Sequence, residues 1–138
     1  MSAGRRNSLA AARENNRYTA GGPLTEWSEV DLLTCFESEP EIDEDRLSFR
    51  YVTERSGYCL SFTIWPYDED IYIVLHGPSQ SRPLLDVWLH ACTAVRYART
   101  GGSESLSFRY RDLERLQPPT YQSAELRIRP EFHINVTR

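Results

Sequence analysis

The most suggestive local pair in the sequence is His90-Ala91-Cys92, an imidazole and a thiol two residues apart. On a strand, residues i and i+2 share a face, so the two side chains could meet a metal ion or form a thiolate–imidazole couple. A zinc site needs two further ligands. His76, His133, Cys35 and Cys59 are scattered through other segments, with no spacing that brings them in. Two packed side chains are the plainer reading, so no catalytic residue, no metal ligand and no cofactor is expected.

A second group is acidic. Residues 37–45 hold Glu37, Glu39, Glu41, Asp43, Glu44 and Asp45 together with Pro40. The run lacks the Asp-x-Asp-x-Asp-Gly spacing that wraps a loop around calcium. It reads as an exposed connection, and beyond that as a surface for a basic protein partner. Such a surface could imitate phosphates and occupy the cationic cleft of a nuclease. Asp68, Glu69 and Asp70 extend it if their turn lies nearby.

A third group is cationic. Arg109 and Arg111 alternate on one run, and Arg127 and Arg129 on another. If those runs are neighbouring strands, four guanidinium groups form an anion patch for a small anionic ligand or nucleotide. Glu125 and Glu131 flank them, so cross-strand ion pairs on a solvated face compete with that reading.

Enzyme signatures are missing: no phosphate-binding glycine loop, no Gly-x-Ser-x-Gly elbow, no His-Glu-x-x-His. The charge is uneven. Residues 1–22 carry net +3, residues 23–72 net −10 and residues 73–138 net +3, and all sixteen basic residues are arginine. This asymmetry can steer a partner of opposite charge, and nucleic acid would have to avoid the acidic half. Three cysteines without paired spacing fit reduced thiols in the cytoplasm. No apolar run is long enough to span a membrane, and no apolar segment follows the N-terminal arginines as in a secretory signal. Residues 1–22 read as a disordered basic arm, and 23–138 as one β-rich domain.

The positioning elements follow from alternation. Residues 47–53 and 58–64 alternate around Glu54-Arg55-Ser56-Gly57 and predict a hairpin. Ile71, Ile73 and Leu75 mark a strand apolar on both faces, hence inside a sheet. Leu85, Val87, Leu89, Ala91, Thr93, Val95 and Tyr97 predict a long strand. Thr100-Gly101-Gly102-Ser103 turns it into a run with Leu106, Phe108 and Tyr110 inward. A helix over 84–98, with Leu84, Trp88, Ala91 and Val95 as its stripe, fits the same residues. Residues 30–36 predict a first strand, with a helix starting near Ser28 as the alternative. Residues 112–123 read as a long loop. Residues 124–137 alternate to the end, with Pro130 marking an edge or a bulge. Most aromatics fall on the apolar side, which makes them core rather than stacking platforms for RNA. Together about seven strands predict an all-β antiparallel sandwich or partial barrel, or an α+β fold if 84–98 is helical.

Three segments (Tyr58-Cys59-Leu60-Ser61-Phe62-Thr63-Ile64-Trp65-Pro66, Pro83-Leu84-Leu85-Asp86-Val87-Trp88-Leu89-His90-Ala91-Cys92 and Leu126-Arg127-Ile128-Arg129-Pro130-Glu131-Phe132-His133-Ile134) resemble patterns in small β-rich bacterial proteins. Several of those are immunity proteins of polymorphic toxin systems. The resemblance carries no functional motif. It implies a compact cytosolic binder rather than a catalyst, and the net −10 block beside it points to a basic protein toxin as the partner.

Overall fold

A computed structural model describes residues 24, 26–79, 81–111 and 121–137. The basic arm and residues 112–120 of the predicted loop lie outside the described residues, and residues 121–123, predicted as its end, are instead strand paired with 109–111. Among the described residues nine strands form two antiparallel sheets. The first has the order β1 (Glu41–Ile42), β2 (Phe49–Arg55), β3 (Tyr58–Trp65), β4 (Asp70–His76), β5 (Leu85–Leu89). The second has the order β6 (Cys92–Thr100), β7 (Ser103–Arg111), β8 (Tyr121–Arg129), β9 (His133–Thr137). Each sheet is a meander, as expected when consecutive hairpins pair in sequence. Both predicted hairpins form, with Tyr51 opposite Phe62 and Val95 opposite Phe108.

Among the described residues one short helix, α1 (Glu29–Phe36), stands where residues 30–36 predict a strand or, as the alternative, a helix starting near Ser28. Ser28 caps it, its side chain accepting from the Asp31 amide at 3.2 Å, and Glu29 and Asp31 place negative charge in the first turn. The buried residues are Leu32, Cys35 and Phe36, a helical spacing, whereas Val30 and Thr34 of the alternating set are exposed. Capping and the i, i+3, i+4 stripe outweigh a four-residue alternation.

The two sheets and α1 close on one core. Phe62 is fully buried at its centre, 5.2 Å from Phe36, 5.9 Å from Phe108 of the opposite sheet and 6.5 Å from Tyr51, measured between ring centres. Leu60, Ile64, Ile71, Ile73, Leu106, Leu126 and Ile128 complete it.

The stretch 84–98 is neither one strand nor a helix. It is β5 and β6, in different sheets. Ala91 takes a left-handed φ of 55° at the crossing, and its carbonyl accepts from the Arg111 amide at 3.0 Å. The crossing shifts the inward set from odd to even positions, so Leu89 and then Cys92 are buried. A bulge between Cys92 and Ala94 shifts it back, and Val95 is buried in turn. Two opposite shifts leave an unbroken alternation in the sequence. The run 124–137 is likewise two strands: it breaks after Arg129 at Pro130 and returns as the edge strand β9.

Arg129 clamps the pieces together. Its guanidinium donates to the Cys35 carbonyl at 3.0 Å, at the C-terminal end of α1, and pairs with Glu104 at 3.1 Å and Glu37 at 2.8 Å. Arg129 and Glu104 are largely shielded, at 15% and 13% side-chain exposure. Arg129→Met would leave Glu104 half-compensated and the helix-end carbonyl unmet. A loss of about 2–4 kcal/mol is expected in urea unfolding, and a loss below ~0.5 kcal/mol would contradict the clamp.

Candidate protein-binding surface

The nine predicted acids divide by what they touch. Five are engaged in the fold. Glu37 pairs with Arg129, Glu41 with Arg50 at 3.0 Å, Glu69 with Arg111 at 3.6 Å, and Asp70 with the His90 Nδ1 at 2.9 Å. Asp43 Oδ1 accepts from the amides of Leu47 and Ser48 at 2.7 and 2.9 Å and so shapes the β1–β2 turn. Glu39, Glu44, Asp45 and Asp68 are exposed and form no salt bridge among the described residues.

Strand pairing decides where these charges gather. Ile42 lies opposite Phe49, Phe49 opposite Ile64, and Trp65 opposite Asp70. The β1–β2 turn, with Glu44 and Asp45, and the β3–β4 turn, with Asp68, therefore emerge at the same end of the first sheet. They are two strand spacings apart, about 10 Å. Glu37 and Glu39 lie further along, before the β1 edge.

A feature that alternation hides adjoins this acidic end. The inward positions of the first sheet are filled by Phe49, Tyr51 and Phe62 as expected, but Trp65, Tyr72 and Trp88 stand on the outer face. Trp88 makes ring contacts with Tyr72 at 4.2 Å, Trp65 at 5.5 Å and His90 at 5.8 Å, with interplanar angles of 21°, 20° and 9°. Two carboxylates border the ladder: Asp86 accepts from the Tyr72 hydroxyl at 2.9 Å, and Asp70 holds His90. The hydrogen bond to Asp86 pushes the Tyr72 phenol up from its usual range. The signal in the sequence was Trp88 sitting between Asp86 and His90, on the polar side of its run.

The four arginines do not form one patch. Arg127 lies opposite Ser105 and Arg129 opposite Glu104, so a bulge at Ile128 turns the two arginines to different faces. Arg129 is the clamp and Arg111 meets Glu69. Arg109 lies 3.8 Å over the Tyr121 ring, beside a shallow groove of about 410 Å³ floored by Ala94, Ser107 and Ser123. Arg96, across that groove, is held by Glu26 at 2.6 Å. The same guanidinium keeps the Glu26 carboxyl below the usual carboxylate range.

His90 and Cys92 are apart. His90 is exposed beside Asp70, whereas Cys92 is fully buried beneath the other sheet, its thiol donating to the Ala94 carbonyl at 3.5 Å. Burial pushes the Cys35 and Cys92 thiols up to about 12. Cys59 is half-buried on the outer face, opposite His76. At pH 8 a thiol-specific disulfide reagent is expected to label Cys59 promptly, and Cys35 and Cys92 only on unfolding. Three thiols reacting together in the native protein would contradict this packing. Among the described residues no group of three or more His, Cys, Asp and Glu is placed to hold a metal ion. No helix among them is long and apolar enough to cross a membrane.

No family model and no curated protein matches the sequence. Among solved structures the chain is similar to a chain of the contact-dependent growth inhibition toxin–immunity protein complex from Klebsiella pneumoniae 342. The TM-score is 0.66 at 21% identity, over 81% of this chain and 94% of that one. The two-sheet fold of this chain therefore resembles a component of a toxin–immunity complex across nearly the whole of that component.

Proposed function

We propose that the protein is a non-catalytic binding domain of the immunity type, which neutralises a basic protein toxin by docking on it through the acidic end of the first sheet. The observation that carries this reading is the likeness of the whole fold to a chain of a toxin–immunity complex. The charge arrangement supports it. Glu44, Asp45 and Asp68 project from two adjacent turns without neutralising partners among the described residues, and Glu39 prolongs the negative rim. Inhibition by such a surface needs no reacting group, only electrostatic complementarity to a cationic cleft and enough buried area to block it. The partner is then a basic toxin or nuclease met in the cytoplasm, and no cofactor takes part.

The anion-binding alternative loses support because Arg111 and Arg129 are engaged with carboxylates and Arg127 and Arg129 face different ways. The test is genetic. The chain is produced in cells together with the toxin-domain protein encoded beside its own gene. Protection from growth arrest is expected. Arrest that is undiminished while the folded chain accumulates would contradict the proposal.

A further inference from the structure

The aromatic ladder on the outer face of the first sheet is a poor solvent-facing surface. Trp88 is 47% exposed although three rings pack against it. Cross-strand ring pairs stabilise a sheet, and part of the ladder does that work. Stability alone does not account for the carboxylates, however. Asp86 and Asp70 sit on either side of Trp88, each within hydrogen-bond distance of a ladder ring, and the Asp68 turn continues from Trp65.

An electron-rich ring face bordered by carboxylates is the chemical complement of a guanidinium or ammonium group. The ring attracts the cation through its quadrupole, and the carboxylate accepts its N–H groups. The same border repels phosphates, which disfavours a nucleic-acid strand stacked on these rings. Tryptophan and tyrosine are also the residues on which binding energy concentrates, with charged rims affecting chiefly encounter rate.

We infer that Trp88 and Tyr72, between Asp70 and Asp86, form the binding hot spot of this surface, and that its occupant is an arginine-bearing segment of a protein partner. The identity of that partner as a toxin rests on the function proposed above; the chemistry of the site does not. The acidic turns draw the cationic segment in, and the ladder retains it.

The full chain is titrated at low salt into fluorescently labelled hexa-arginine, hexa-glutamate and hexathymidylate, each in a separate experiment, and anisotropy is read. Saturable binding of hexa-arginine alone is expected. Trp88→Ala should weaken it at least tenfold, about 1.4 kcal/mol, and Trp88→Phe, which keeps a ring, by no more than about threefold. Thermal unfolding of each variant verifies that it is folded. Equal affinity for wild type and Trp88→Ala, no binding by wild type, or preference for hexathymidylate would each overturn the inference. Because no toxin enters this assay, a failure here is distinct from a failure of the chain to protect cells.

Discussion

Reversing Glu44, Asp45 and Asp68 together to lysine is expected to weaken binding to the toxin partner proposed above about 100-fold at low salt, or roughly 2.7 kcal/mol. The three positions are exposed, sit in turns rather than strands, and have no salt-bridge partner among the described residues. Their replacement therefore leaves the core and the ladder of backbone hydrogen bonds intact. The change is six units of charge at one end of one sheet. Most of the loss should appear in the association rate and should shrink as salt is raised, since exposed charges act over about one screening length. Asp43 is kept out of the set because its carboxylate holds the turn that presents Glu44 and Asp45. A triple variant that binds as tightly and as fast as wild type would remove the acidic end from the interface.

Phe62→Ala is expected to cost about 3–5 kcal/mol. That is a large share of the roughly 5–15 kcal/mol by which a domain of this kind is stable. Phe62 joins three elements: it touches Phe36 of α1, Tyr51 of the neighbouring strand and Phe108 of the facing sheet. Its removal opens a cavity between rings that are themselves buried and cannot fold inward without pulling the sheets together. The thermal midpoint, followed by far-ultraviolet circular dichroism, should fall by roughly 12–20 °C. A fall below about 5 °C would mean that the two sheets do not depend on this contact.

The all-β class, the two hairpins and the inward set of most strands were legible because each strand buries one face, and burial writes itself into the sequence with a period of two. What period two cannot report is which sheet a strand joins. The β5–β6 crossing at Ala91 and the bulge after Cys92 cancel in parity, so 84–98 reads as one element, and the helix that fits the same residues does not form. Residues 30–36 favour a strand over the alternative helix starting near Ser28, which is the one that forms, because a cap and a three-residue stripe carry less pattern than four alternating positions. The bulge at Ile128 is invisible for the same reason, although it alone separates Arg127 from Arg129.

The candidate surface was half legible. Its acids stand out as a charge run, but their meeting at one end follows from the pairing of Ile42 with Phe49, Phe49 with Ile64 and Trp65 with Asp70. The division between acids held in the fold and acids left free depends on individual partners such as Arg50 and Arg129. The ladder of Trp65, Tyr72 and Trp88 comes from three strands and exists only once they are in register.

The central claim is that this fold acts by occupying another protein. Its most direct test is to titrate the purified chain into the purified toxin domain while following the toxin's own activity. Inhibition that is complete at one chain per toxin, and lost when Glu44, Asp45 and Asp68 are reversed, is the predicted result. Toxin activity that persists in a tenfold excess of folded chain would contradict it.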